Sequence, residues 1–194
     1  MAGIGAIFTY EAQLFLGMRN PDYSNNKGCK RELEYAGGKI EINKDTLERE
    51  TPMEACVREV SEEFAITFSN PEILYNADNL VISYDKNLNV NNGLYISELC
   101  WDDVRRISSV SRCLVDKIQA GENVPISEII VLGRNCFITD FLAQIDKKTM
   151  HFDCYSQGLP EPQVPLRNFN RFLIKAAIDQ GKLTKLVWTL WKDK

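Results

Sequence analysis

Histidine is almost absent from this sequence; His151 is the only one, and no role attaches to it. The six cysteines, Cys29, Cys56, Cys100, Cys113, Cys136 and Cys154, are scattered and never form a Cys-x-x-Cys pair. Without paired thiols or clustered imidazoles, no zinc centre is expected. Scattered cysteines read instead as free thiols in a reducing compartment, so the expected location is cytoplasmic. No apolar run approaches the roughly 18 residues needed to cross a bilayer, which argues against a membrane partner. The opening Met1-Ala-Gly-Ile-Gly-Ala-Ile-Phe has no basic residue before its short apolar stretch, so it reads as a first strand and not as a secretory signal. Positive charge is not in excess either. The net charge of −4 argues against broad, nonspecific nucleic-acid binding. Internal repeats and low-complexity segments are also lacking.

What is present is a globular composition. Hydrophobic residues make up 44% of the chain and charged residues 26%, enough for an ordinary core. The length fits one domain over residues 1–194, with a C-terminal helix and tail (about 165–194) packed on it. Short strands are expected at 4–9 and 13–18, with a turn near Glu11. A polar loop over 20–32 precedes a brief strand at 33–36 that runs into Gly37-Gly38. A helix is expected at 52–64, then strands at 72–76, 79–84 and 93–99. Val104, Ile107, Val110 and Leu114 are spaced for a helix over 101–119. A strand at 126–132, a helix at 137–145, a Pro-rich connector at 159–165, a helix at 166–180 opened by Pro165, and a strand at 184–191 complete the reading. Strands and helices mix without strict alternation, which implies an α+β or α/β layered sandwich.

The helix at 52–64 carries the chemistry. Thr51 suits its N-cap, Pro52 its first turn and Glu54 the third position, which together make a capping box. Met53, Cys56, Val57, Val60 and Phe64 share one face that packs inward. Glu59, Glu62 and Glu63 lie three and four residues apart on a neighbouring face, where they repel one another. They also stand in the C-terminal half, where the helix dipole disfavours negative charge. A solvated acidic face is the plain reading of the helix taken alone. A divalent cation would relieve the same repulsion, and hard carboxylate oxygens suit Mg²⁺ or Mn²⁺.

The residues upstream favour the cation. Gly37-Gly38-Lys39-Ile40-Glu41, Glu50-Thr51-Pro52, Glu54-Ala55 and Arg58-Glu59-Val60-Ser61-Glu62-Glu63 together resemble the signature of the Nudix hydrolase superfamily. That signature reads Gly-x5-Glu-x7-Arg-Glu-U-x-Glu-Glu-x-Gly-U, with U an aliphatic residue. Leu33-Glu34-Tyr35 also resembles the strand that leads into this box in MutT-like members. Two features depart from the pattern. Lys39 to Arg49 puts eleven residues between Gly38 and Glu50 where the family has five, an insertion of six with Lys44-Asp45 at its tip. Loop insertions cost little thermodynamically. Ala65 stands where the family has glycine, which implies a different helix exit or one more turn. Neither change removes a carboxylate.

The resemblance implies a Nudix-type α/β/α sandwich with a mixed sheet. It implies that Gly38, Glu59, Glu62 and Glu63 hold Mg²⁺, with Mn²⁺ as the alternative. It implies that Arg58 orients the carboxylates and Glu50 braces Arg58. Glu62 and Glu63 are then catalytic, and Glu98, at the end of its strand, is a candidate extra ligand or base, with Asp102 and Asp103 as substitutes. Tyr35 is a candidate for stacking on a base, and Arg19 for meeting a phosphate. The implied activity is Mg²⁺-dependent cleavage of a phosphoanhydride in a nucleotide, a nucleoside diphosphate linked to another group, including a nucleoside triphosphate. RNA carrying a 5′ cap or 5′-triphosphate is the alternative substrate, because Lys27, Lys30 and Arg31 lend the long loops some basic character. ADP-ribose or a nucleotide sugar is a third. A nucleotide-sensing module without catalysis is the reading outside the enzymes, and the intact Arg-Glu-x-x-Glu-Glu run argues against it. Many relatives are dimers, so a homodimer is a further expectation.

Overall fold

Two near-continuous apolar runs, buried on both faces, build the first hairpin. β1 (Gly3–Tyr10) and β2 (Gln13–Arg19) pair antiparallel, with Phe8 opposite Phe15 and Tyr10 opposite Gln13. Glu11 makes the turn at φ 43°. The computed structural model of the chain describes residues 1–11, 13–24, 32–43, 46–86, 88–132, 151–152, 155–156, 159–160, 164–165 and 167–183. The helix expected at 137–145, the strand at 184–191 with Trp188 and Trp191, and Lys27, Lys30 and Arg31 lie outside the described residues.

β3 (Leu33–Glu34) pairs with β2, and β4 (Ala36–Lys39) pairs with the first half of β1. Helix α1 (Pro52–Phe64) follows. Its capping box is formed: Glu54 N–H donates to Thr51 Oγ1 at 3.2 Å, and Thr51 N–H donates to Glu54 Oε2 at 2.8 Å. The next element corrects the sequence reading. Residues 72–76 are not a strand; α2 (Pro71–Leu74) is a single helical turn. Pro71 fixes the backbone for a first helical position, and Tyr75 N–H closes the turn on the Pro71 carbonyl at 2.8 Å.

β5 (Leu80–Asp85) lies at one edge, antiparallel to β6 (Val90–Glu98), and β6 runs parallel to β1. Helix α3 (Trp101–Gln119) leads to β7 (Ile126–Leu132), antiparallel to β2. One parallel pair among antiparallel ones makes this seven-stranded sheet mixed. Four two-residue strands follow, β8 (His151–Phe152), β9 (Tyr155–Ser156), β10 (Leu159–Pro160) and β11 (Val164–Pro165), before α4 (Asn168–Asp179). Pro165 therefore pairs with His151 in β11 and does not open the last helix, whose N-cap position is Arg167.

Side-chain alternation sorts the core into two layers. On one face of the sheet, Ala6, Phe8 and Phe15 pack with Val60 and Phe64 of α1 and with Ile107 and Leu114 of α3. On the other, Ile7, Leu16 and Leu94 pack with Leu173, Ile174 and Ala177 of α4. Helices thus cover both faces of a mixed sheet, the α/β/α sandwich expected from the sequence.

The end of α1 departs from expectation in a useful way. Ala65 adopts φ 54° and ψ 33°, the left-handed stop that glycine would give. There is neither an extra turn nor a new exit. Phe64 and Ile66 on either side are both 1% exposed, and their burial holds alanine in a conformation it disfavours. Ala65→Gly should therefore stabilise the fold by about 0.5–1 kcal/mol, after allowing for the greater freedom of glycine in the unfolded chain. Urea unfolding followed by circular dichroism measures this directly.

Candidate active site

Arg58 organises the box. Its Nε and Nη2 donate to the two oxygens of Glu50 at 2.8 and 3.0 Å, a bidentate pair. Nη1 donates to Glu59 Oε1 at 2.8 Å and to Glu62 Oε2 at 3.2 Å. Nη2 also donates to the Lys39 carbonyl at 2.9 Å. One guanidinium thus joins the end of the insertion, the helix and the end of β4. The pairing depresses the Glu50 carboxyl and holds Arg58 more firmly protonated than usual.

Gly37 and Gly38 lie within β4, opposite Gly5 and Ile4 of β1, and meet the same helix. Gly37 N–H donates to Glu63 Oε2 at 2.8 Å. The Glu59 carboxylate lies so close to Gly38 that a Cβ added there would collide with it. Glycine at 38 is what lets backbone and carboxylate meet. Glu59, one turn before Glu63 on α1, is 9% exposed, and Glu62 stands outward at the rim.

The six-residue insertion is a short hairpin. Ile42 bridges to Arg49, Asn43 N–H donates to the Glu48 carbonyl at 2.8 Å, and Glu41 N–H donates to Glu50 Oε2 at 2.9 Å. Its closing residue is thus the Glu50 that braces Arg58. Lys44 and Asp45, read as its tip, lie outside the described residues.

Three sequence-predicted residues do not join this cluster. Tyr35 is 5% exposed, its ring pressed on Gly5 in the core, so it offers no open face for stacking on a base. Strand alternation explains this, since Tyr35 shares its side with Leu33 in the layer under α4. Arg19 sits 3.8 Å from Glu32 with its side chain 11% exposed. Glu98 ends β6 opposite Thr9, whereas Gly38 pairs with Ile4 near the start of β1. That separates them by about 16 Å along β1 at roughly 3.3 Å per residue. Glu98 instead lines a depression with Asp102, Asp103 and Arg106.

Two residues were missed. Glu34, 5% exposed, lies close enough to Glu63 to raise its carboxyl, and Arg167 pairs with Glu34 at 2.8 Å. A charge set between the apolar Leu33 and Tyr35 was the visible signal for Glu34. Arg167 carried none, since 133 positions separate it from its partner.

Burial is the main electrostatic fact here. It raises the Glu34 and Glu59 carboxyls against the pull of Arg167 and Arg58, respectively. It pushes Glu63 up to about 8, with Glu34 and Glu59 adding repulsion and the Gly37 amide opposing. Among the described residues, no three His, Cys, Asp or Glu side chains stand together as a finished metal cage. The donors nonetheless suit a hard divalent cation: the Glu59 carboxylate lies against the bare Gly38, Glu63 is held by the Gly37 amide, and Glu62 stands at the rim.

No family model and no curated protein matches the chain by sequence. Solved structures do match, and Nudix hydrolases are the structural neighbours across most of the chain. A MutT/nudix family protein from Enterococcus faecalis aligns over 95% of this chain and 66% of its own, just under two thirds, at 11% identity and a TM-score of 0.46. A pyrophosphohydrolase from Bacillus subtilis aligns over 98% of this chain and 83% of its own, at 12% identity and a TM-score of 0.42. A bifunctional NMN adenylyltransferase/ADP ribose pyrophosphatase from Francisella tularensis, solved with AMP and a Mn ion, aligns over 50% of this chain and 27% of its own. Its identity is 19% and its TM-score 0.31. Likeness at this level assigns no activity.

Two predictions come from this geometry. A carboxyl raised to about 8 keeps its proton on folding, so the native state binds more protons than the unfolded chain between about pH 4.5 and 8. Its contribution to stability therefore falls as pH rises through that window. Glu63→Gln should stabilise the metal-free protein by about 1–2 kcal/mol at pH 8 and hardly at all at pH 4.5, read from urea midpoints. Arg58→Lys keeps the charge but loses the fork on Glu50, and should lower stability by about 1–3 kcal/mol in the same assay.

Proposed function

We propose that this chain, with a mixed sheet, helices on both faces and a glutamate helix of the Nudix type, is a Mg²⁺-dependent pyrophosphohydrolase acting on a nucleotide. The observation that carries the reading is the meeting of Glu59 and Glu63 with Gly37 and Gly38 of β4. Two carboxylates of raised pKa are gathered on backbone that only glycine allows, and no ion pair reaches Glu63 among the described residues. A fold that needed only stability would place apolar or solvated groups there.

Glu59, Glu62 and Glu63 would hold the metal with the Gly38 carbonyl. Bound metal neutralises the phosphate oxygens and lowers the pKa of the attacking water. The chain's own contribution is orientation. Glu50 fixes Arg58, Arg58 aims Glu59 and Glu62, and the Gly37 N–H aims Glu63. With Glu98 set apart, the proton acceptor falls within the box. Mn²⁺ is the natural substitute metal.

The reading takes residues 1–194 as a single domain, with its C-terminal helix part of the sandwich. The free thiols Cys56, Cys100 and Cys113 fit a reducing, cytoplasmic setting. Among the described residues, no helix is long and apolar enough to cross a membrane. The homodimer remains part of the proposal.

The test is product release from a panel of nucleoside triphosphates, ADP-ribose, dinucleoside polyphosphates, and 5′-capped or 5′-triphosphate RNA, with Mg²⁺ or Mn²⁺. Turnover of at least one is expected, and Glu63→Gln should reduce it at least about 100-fold. No turnover of any substrate would remove the hydrolase reading. Undiminished turnover in Glu63→Gln would remove the site.

A further inference from the structure

Arg167 brings a distant part of the chain back to the box. Its backbone N–H donates to the Leu33 carbonyl at 3.0 Å, and its Nη1 donates to Glu34 Oε2 at 2.8 Å. It therefore grips both residues of β3. Behind it, α4 is anchored through Leu173, Ile174 and Ala177 in the core. The grip has a fixed base.

β3 needs such a grip. It is two residues long, pairing Gly17↔Glu34 and Met18↔Leu33 with β2, and just before it Arg19 N–H donates to the Glu32 carbonyl at 2.9 Å. Two residues further on begins β4, which pairs with β1 and whose Gly37 N–H holds Glu63. Glu34 lies on the α1 side of the strand, because Leu33 and Tyr35 pack under α4 while Ala36 packs under α1. The side chain of Glu34 is 6% exposed and that of Arg167 44%. A buried carboxylate paired with a half-exposed arginine secures a strand no better than an apolar residue of the same size, so stability alone is a weak reason for Glu34 here. The charge of Arg167 acts on Glu34 and on Glu63 alike.

We propose that Arg167 is a positioning residue of the box: by pinning Leu33 and Glu34 it holds the start of β4, with Gly37 and Gly38, against Glu59 and Glu63. The catalytic consequence rests on the hydrolase reading; the structural one does not. The C-terminal segment is then a working part of the site and not only a cover for the sheet.

The experiment compares Arg167→Ala, Arg167→Lys and a control, Lys182→Ala. Lys182 donates to the Asp78 carbonyl just beyond α4, so its loss loosens the same segment without touching β3. Three quantities are read: amide hydrogen exchange at Gly37 and Ile7 by NMR in metal-free protein, Mn²⁺ affinity by water-proton relaxation, and kcat and KM. Arg167→Ala should speed Gly37 exchange about tenfold with Ile7 unchanged. It should also weaken Mn²⁺ binding about tenfold and lower kcat more than it raises KM. Arg167→Lys should recover part of each, and Lys182→Ala should match the wild type. Wild-type exchange at Gly37 in Arg167→Ala would overturn the proposal. So would exchange that quickens equally at Ile7, which marks general loosening. A wild-type protein that neither binds Mn²⁺ nor turns over any substrate would remove the hydrolase reading, while Gly37 exchange would still decide the role of Arg167.

Discussion

The frame of this site hangs on the Arg58 guanidinium. A planar fork with five N–H donors can satisfy several acceptors at fixed angles, which an ammonium cannot. Here it reaches Glu50, Glu59, Glu62 and the Lys39 carbonyl together. Those acceptors belong to three pieces of chain: the end of the insertion, the helix and the exit of β4. With Glu50 and Lys39 both tied to Arg58, the chain between them can lengthen without moving the site. That is the physical reason six extra residues are tolerated at this point. They close into a hairpin whose base is the very residue that braces the arginine.

Arg58 does not reach everything. Glu63 is left to a backbone amide and to the more distant charge of Arg167, with Glu34 and Glu59 pressing on it. The carboxylates are therefore arranged in a way that the resting fold does not fully compensate. Such a site is costly to keep, and proteins concentrate this kind of cost where a ligand will relieve it. A divalent cation is the ligand whose chemistry answers three carboxylates and a carbonyl.

Much of this was legible in the sequence because it is local. The cap, the register of α1 and the inward face around Val60 are all set within about 15 residues, and the structure has them where the residues imply. The Arg58 pairs with Glu59 and Glu62 are likewise neighbours on one helix. What the sequence hid is what depends on distant chain or on a competing rule. Residues 72–76 have strand-like side chains, but Pro71 and the closing bond from Tyr75 make a helical turn. Ala65 was read from its preference, whereas burial of Phe64 and Ile66 overrode it. Tyr35 and Glu98 needed the sheet's register to be placed, one inside the core and the other toward the far end of β1. Arg167 needed the complete tertiary fold.

The central claim is that Glu59 and Glu63 form a metal site at Gly37 and Gly38 of β4. Anomalous diffraction at the manganese edge, from crystals soaked in Mn²⁺ with a non-hydrolysable nucleotide, tests it most directly. The account predicts density bonded to the Glu59 and Glu63 carboxylates and to the Gly38 carbonyl, with the Arg58–Glu50 pair retained beside it. Manganese found only in the depression of Glu98, Asp102 and Asp103, or nowhere on the protein, would contradict it.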